Sequence, residues 1–212
     1  MPSGGAILDA SCGIGIDAIV LARMGYEVTG TDASPAMIGQ ATTHAAREAL
    51  SLTLSVCAWH DLPKQFDPGF DLVFCGGNSI GHCQDETEMV DSLAGMRAVL
   101  KPGGRLIVET RDWEMLLEKR VRFTCFGPRE RDGKRCVPLY VWNFGEEPGA
   151  SVVVEVVLPI ESDGRVALRT HRIVYHPFTL AQLTSRIRTA GFKDVQAEPG
   201  ASGTVEVSAR AP

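Results

Sequence analysis

No apolar run approaches the roughly 20 residues that a membrane-spanning helix needs. No signal-peptide pattern opens the chain either, so the expectation is a cytoplasmic protein without a membrane span. The six cysteines (Cys12, Cys57, Cys75, Cys83, Cys125, Cys136) form no CxxC pair and no ligand-spaced cluster. That argues against a metal site or a disulfide framework and for reduced thiols. Basic clusters are missing too: the longest, Arg129 to Arg135, is broken by Glu130 and Asp132, and the net charge is −5. A nucleic-acid partner needs a concentrated positive face to neutralise phosphates, so DNA and RNA are excluded as partners. Internal repeats and low-complexity tracts are also absent. What remains is a chain of 212 residues with 44% hydrophobic content, enough for one domain over 1–212 with a full core.

The most informative stretch runs from Ala6 to Asp32. A short apolar run ends in an acid, Asp9. A small-residue turn with Gly13 and Gly15 leads into an amphipathic run, Ile16 to Met24, and a second apolar run ends in Asp32. This is strand, glycine loop, helix, strand: the opening unit of a nucleotide-binding α/β sheet. The glycines allow a tight turn and the close approach of a ligand. Asp32, at the C-terminal edge of its strand, suits the two hydroxyls of a ribose. Gly13-Ile-Gly15-Ile-Asp-Ala18 also satisfies the relaxed dinucleotide fingerprint. Two features point elsewhere. Asp9 stands where a pyrophosphate would be repelled by like charge, and no second glycine loop supplies the other half of a dinucleotide fold. An acid facing the loop suits a cationic nucleoside that bears an amino acid, and S-adenosylmethionine is such a ligand.

Further along, Ser34-Pro35 reads as an N-cap and first helical position, opening a helix to about Leu50. Leu52 to Cys57 and Phe70 to Cys75 read as the third and fourth strands. Asp85 to Glu88 is a capping-box pattern for a helix through Leu100. Lys101 to Gly104 then stops that helix and turns into a strand at Arg105 to Thr110. Residues 121–175 change character. The alternating runs Leu139 to Phe144, Ser151 to Leu158 and Arg165 to Tyr175 suggest an antiparallel insert. A last helix opens at Thr179 and ends at Gly191, and Val195 and Thr204 to Ala209 form a closing antiparallel pair.

Four blocks carry a family resemblance: LDASCGIG (Leu8 to Gly15), VTGTDASPAMI (Val28 to Ile38), FDLVFCGGNSIGH (Phe70 to His82) and LKPGGRLIVETRDW (Leu100 to Trp113). The chain resembles the class I S-adenosylmethionine-dependent methyltransferases, and within them the glycine/sarcosine N-methyltransferase group. The resemblance implies a Rossmann-like α/β sheet with helices on both faces and a small antiparallel β insert covering the substrate. It implies S-adenosylmethionine as cofactor and S-adenosylhomocysteine as product. Cofactor contacts then fall on Asp9, Gly13, Gly15, Asp32, Met37, Ala58, Trp59 and Gly76. Relatives place an Asn-Trp or Asp-Trp pair over the adenine. Here the pair is Ala58-Trp59, which removes a side-chain acceptor, and Trp59 has two readings, adenine stacking and core packing. Asp61 is a second source of that acceptor or an ordinary loop acid. Gly76 replaces a leucine, which the resemblance reads as a wider pocket or a looser cofactor contact.

For the methyl acceptor, the resemblance points to Arg111, where the group's arginine holds a substrate carboxylate; a guanidinium fork suits that task. Asn78 and His82 follow the fourth strand, at the edge where the acceptor should lie, and each also has a structural reading. Trp113 replaces a common tyrosine, and Tyr140, Trp142 and Tyr175 are either pocket aromatics or core. No residue declares itself as a base. Relatives carry N-terminal helices over the cofactor, whereas this sequence starts almost on its first strand. The expectation is a more open pocket, or one closed by another subunit, the same chain or a partner. Methyl transfer to a small carboxylate-bearing amine leads. Methylation of a natural-product small molecule, on O or N, and a catalytically silent cofactor-binding subunit are the rivals.

Overall fold

The first apolar run forms β1 (Ala6–Asp9), the amphipathic run α1 (Ile16–Arg23) and the second apolar run β2 (Glu27–Asp32) in the computed structural model of the chain. The structure describes residues 4–131, 134–147, 149–162, 164–200 and 203–212. Asp132, in the interrupted basic stretch, lies outside the described residues. α2 (Pro35–Arg47) opens as its sequence dictates: Ser34 Oγ accepts the Met37 N–H, and Pro35 takes the first turn. It ends at Arg47, short of Leu50. β3 (Thr53–Val56), α3 (Leu62–Gln65) and β4 (Phe70–Cys75) follow. α4 (Glu86–Ala98) is capped by Asp85, whose Oδ1 accepts the Glu88 N–H at 2.8 Å.

One strand is longer than the sequence suggests. β5 (Leu100–Arg111) runs through the Lys-Pro-Gly-Gly segment instead of starting at Arg105. Gly103, at φ 74°, absorbs the turn, and the β4–β5 register shifts between Phe70 and Leu72. The segment still behaves as a turn: β4 pairs with Leu100 before it and again from Arg105 after it, and Lys101 to Gly104 bulge between these two points. α5 (Trp113–Lys119) has no counterpart in the sequence reading. α6 (Leu180–Thr189), β12 (Lys193–Pro199) and β13 (Thr204–Arg210) close the chain.

The main sheet has the order β12-β13-β5-β4-β1-β2-β3, parallel from β1 to β5, with β13 antiparallel to both β5 and β12. Its register lines residues up across the strands. Leu8, Val73 and Leu106 form one row, all 0% exposed. Burying each such side chain stabilises the fold by roughly 1.5–3 kcal/mol. The next row, Gly30, Asp9, Phe74, Ile107 and Ser208, points to the opposite face because strand side chains alternate. α1 and α2 pack on β2 and α2 on β3, whereas α4 packs on α3, α6 and β5. This is the Rossmann-like α/β sheet that the sequence leads one to expect. Among the described residues no helix is long and apolar enough to cross a membrane.

Contacts divide the chain into two compact units. The first holds residues up to Ile80, Asp85–Asp112 and Leu180–Pro212, hence the whole main sheet. The second holds Gly81–Gln84 and Trp113–Thr179. Its strands are β6 (Phe123–Cys125), β7 (Arg129–Arg131), β8 (Lys134–Cys136), β9 (Leu139–Phe144), β10 (Val152–Ser162) and β11 (Arg165–Tyr175). They pair antiparallel in the order β6-β9-β10-β8-β7, with β11 on β10. Trp142, opposite Val154, is among this unit's buried core residues; its indole N–H donates to Thr124 Oγ1 at 3.0 Å.

Candidate functional site

The loop after β1 is built from the backbone outward. Ala10 N–H donates to Phe74 O, Cys12 N–H to Thr31 O and Gly15 N–H to Cys12 O. These bonds tie the loop to the strands on either side and curl it toward α1. Gly13 and Gly15 have φ of 52° and 85°, the region that favours glycine. Their surroundings differ. A Cβ on Gly15 would meet the Ala41 Cβ at 3.1 Å, so this glycine admits α2. A Cβ on Gly13 would meet nothing within 4 Å, so that side of its backbone is open to a ligand.

Asp32 does more than wait for a ribose. Its Oδ2 accepts the Gly13 N–H at 3.0 Å and its Oδ1 the Ser34 N–H at 2.8 Å. One carboxylate therefore fixes both the glycine loop and the start of α2. Each oxygen keeps a further lone pair for hydroxyl donors. Asp9 is the opposite case. It is 1% exposed, its Oδ1 takes a long 3.3 Å bond from Ser11 N–H, and its Oδ2 has no hydrogen-bond partner. Burial first, then the nearby Asp17 and Asp32, push its carboxyl up to about 7. A buried acceptor of this kind is short of a cation. Cys12 packs beneath, against the space over Gly30. Burial, with Asp9 and Asp32, pushes its thiol up to about 12, so it stays protonated and inert. All six cysteines are unbridged.

On the β2–β3 side, Ala33, Val56, Cys57, Ala58 and Asp61 line a groove of about 450 Å³. Trp59 opens a 3-10 turn, Trp59–Asp61, and its indole N–H donates to Ala10 O at 2.6 Å. The ring thus bridges this turn to the end of β1, and it stays half-buried. Asp61 is held by Lys64 at 2.6 Å, and that bond above all keeps its carboxyl below the usual range. Met37, in the first turn of α2, is 39% exposed and so is not core.

Gly76 has a neighbour that the local sequence does not indicate. The missing leucine suggests a wider pocket or a looser cofactor contact. In the structure the Phe74 ring fills that space, with Cζ 2.4 Å from where a Gly76 Cβ would stand. Phe74 was missed; the signal was a large residue two places before an unexpected glycine.

Asn78 sits after β4 with φ 63° and 3% exposure. Its Oδ1 accepts from Thr110 Oγ1 at 2.9 Å and from Arg111 N–H at 3.0 Å, and its Nδ2 is buried without a partner. It fastens the exit of β4 to the end of β5 and fixes the backbone of Arg111. Arg111 is half-buried and pairs in register with Thr204. On the same strand face, Glu109 stands opposite Glu206. Burial and Asp17 raise the Glu109 carboxyl, Glu206 adds to the rise, and Arg111 opposes it.

The other candidates belong to the second unit. His82 Nδ1 lies 3.2 Å from Val174 O, and its ring stacks on Tyr175 with centroids 4.8 Å apart. A bond from Nδ1–H to that carbonyl would leave Nε2 as the acceptor nitrogen. Tyr175 and Trp113 are 7% and 2% exposed, with centroids 5.4 Å apart, so both are packed aromatics. Tyr140 is half-buried against Phe126 at 4.7 Å. Among the described residues no group of three His, Cys, Asp or Glu side chains is placed to hold a metal ion.

Comparison with known proteins agrees with this geometry. A methyltransferase-domain family profile matches residues 7–104. Glycine N-methyltransferase of Rattus norvegicus is 32% identical over 209 residues, covering 87% of this chain and 68% of its own length. Glycine/sarcosine N-methyltransferase of Parasynechococcus marenigrum is 35% identical over 113 residues, covering 53% of this chain and 40% of its own length. In fold, the chain is similar to the S-adenosylmethionine-bound structure of an amino pentose methyltransferase from Micromonospora echinaspora. The TM-score is 0.76 at 20% identity, covering 100% of this chain and 85% of the other.

Proposed function

This chain belongs to the class I S-adenosylmethionine-dependent methyltransferases, and we propose that it methylates the amine of a small, carboxylate-bearing acceptor of the glycine or sarcosine type. S-adenosylmethionine is the cofactor, and the residues present fit it. Asp9 Oδ2 is a buried acceptor short of a cation, which the ligand's ammonium supplies. Gly13 leaves open space beside its backbone, and Asp32 keeps lone pairs for ribose hydroxyls. When bound, the cofactor contributes an electrophilic methyl group on a sulfonium.

One observation supports the acceptor: Asn78 grips the Arg111 N–H at the end of β5. With its backbone held there, Arg111 carries a guanidinium at the C-terminal edge of a parallel strand, where ligands of this architecture bind. Paired with a carboxylate there, it would set the distance and angle of the amine, and placement is the main catalytic tool for an in-line displacement. Of the other residues proposed to contact the acceptor, His82 and Tyr140 keep accessible surface, whereas Trp113 and Tyr175 are packed aromatics. The six unbridged cysteines support a reducing, cytoplasmic setting.

A second reading has its own observation. The Arg111 charge holds the Glu109 carboxyl down against burial, Asp17 and Glu206, and an acceptor without a carboxylate, such as an amino sugar, would leave that attraction undisturbed. Initial rates on an amino acid and on its decarboxylated amine separate the two. The first reading expects the amino acid to be preferred by about tenfold or more, the worth of one charge-assisted pair. It also expects Arg111→Lys to lose turnover at nearly unchanged cofactor affinity, because lysine keeps the charge without the fork. Equal rates on both amines would favour the amino-sugar reading.

A further inference from the structure

We propose that the Phe74 ring forms the wall beside the cofactor's sulfonium and makes the site discriminate S-adenosylmethionine from its demethylated product by charge. The proposal rests on the cofactor assignment above. Gly76 directly follows β4, two residues beyond Phe74, and a Cβ there would lie on the side of the Phe74 ring. The ring leans along the strand, so that a Cβ on Gly76 would meet its Cζ at 2.4 Å and its Cε1 at 2.6 Å. Residue 76 and the ring compete for one volume, and only glycine lets the ring have it.

That volume adjoins the glycine loop: Ser11 Oγ donates to the Gly76 carbonyl at 3.3 Å. Phe74 also pairs in register with Asp9, so the ring and the carboxylate whose Oδ2 lacks a hydrogen-bond partner share a sheet face on adjacent strands. Adjacent strands lie about 4.8 Å apart. The ammonium and the sulfonium of the cofactor are separated by three carbons, a span of about the same size on ordinary bond lengths. With the ammonium on Asp9, the sulfonium therefore reaches the neighbouring strand, where Phe74 stands. The ring is half-buried, whereas Val73 and Cys75 beside it are 0% exposed, so part of it remains accessible. A cation is attracted to an aromatic ring face, and a neutral thioether is not. Leucine, in the relatives' position, offers contact without that selectivity.

The test is titration calorimetry with S-adenosylmethionine and with S-adenosylhomocysteine, on protein whose folding is first checked by thermal melts. Phe74→Leu should weaken the sulfonium ligand by about three- to tenfold and the thioether by less than about twofold. Gly76→Ala, which evicts the ring but keeps it in the chain, should narrow the ratio in the same direction. The double variant Phe74→Leu/Gly76→Leu refills the volume with aliphatic carbon and should keep the narrowed ratio. Equal losses for the two ligands, an unchanged ratio, or a wild-type ratio in the double variant would each overturn the proposal and leave the cofactor assignment standing. Failure of the wild-type protein to bind either ligand would bring down the assignment as well.

Discussion

At the scale of single residues, Asp9 carries the clearest electrostatic consequence. Its carboxyl is raised from 3.8 to about 7, with burial as the largest cause. Below pH 4 it is protonated in both folded and unfolded chains and contributes nothing to their difference. Between pH 4 and 7 the unfolded chain ionises while the folded one holds its proton, so stability from this residue falls as pH rises. Above 7 the penalty is full, roughly 4 kcal/mol for a shift of this size. Cofactor-free Asp9→Asn should therefore melt higher than wild type at pH 8 and nearly level with it at pH 4. A gap that does not widen with pH would mean that the acid is solvated. The cofactor's ammonium prefers the ionised form, so affinity should rise from pH 6 to 8. Binding at pH 6 should release close to one proton, measurable by calorimetry in buffers of different ionisation enthalpy. Asn78 makes a different point. Alanine there loses two bonds, worth about 1 kcal/mol each, and keeps a left-handed backbone that costs about 1–2 kcal/mol without glycine or asparagine. Urea unfolding should show Asn78→Ala less stable than Asn78→Gly, although both lose the same bonds.

At the scale of elements, two helical glycines separate packing from propensity. Gly95 lies in α4, where a Cβ would stand 2.2 Å from the Trp59 carbonyl oxygen. That is backbone and cannot turn aside, so Gly95→Ala must push the Trp59 turn away from the helix. Overpacking of this kind costs roughly 1–3 kcal/mol. Trp59 holds Ala10 through its indole N–H, so the displacement reaches the glycine loop. Cofactor affinity should fall along with the melting temperature. Gly39 in α2 meets nothing within 4 Å, and Gly39→Ala should raise stability by up to about 1 kcal/mol through helix propensity alone. Cofactor affinity should not move. If both substitutions behave alike in melts and titrations, the close approach of α4 to the Trp59 turn is not what positions the loop.

At the scale of the whole chain, the proposed cofactor contacts all fall in the unit that holds the main sheet, and Trp142 is among the buried core residues of the other. Trp142→Ala should cost roughly 3–5 kcal/mol in that second unit. The expected result is lost methyl transfer with S-adenosylmethionine affinity held within about twofold; equal loss of both would mean that the units do not act separately. The sequence by itself determined the main-sheet strands, the helices α1, α2, α4 and α6, the three long strands β9 to β11, the glycine loop and the strand-end acids Asp9 and Asp32, but not α3, α5 or the short strands β6 to β8. Those signals are local: an apolar run, a cap such as Ser34 or Asp85, and a turn needing glycine are each written within a few residues. The tertiary structure alone decided the rest. β5 starts at Leu100 because Phe70 of β4 already pairs there, ahead of the Lys-Pro-Gly-Gly bulge, and pairing resumes at Arg105. Trp59 meets Ala10 across 49 residues of chain, and Asn78 meets Arg111 across 33. Gly95 is glycine because a carbonyl from another element approaches it, and Gly76 because the Phe74 ring takes its place. Each depends on register or on contact between separate elements, which no local window contains, so the pocket wall at Phe74 became visible only once the strand was folded.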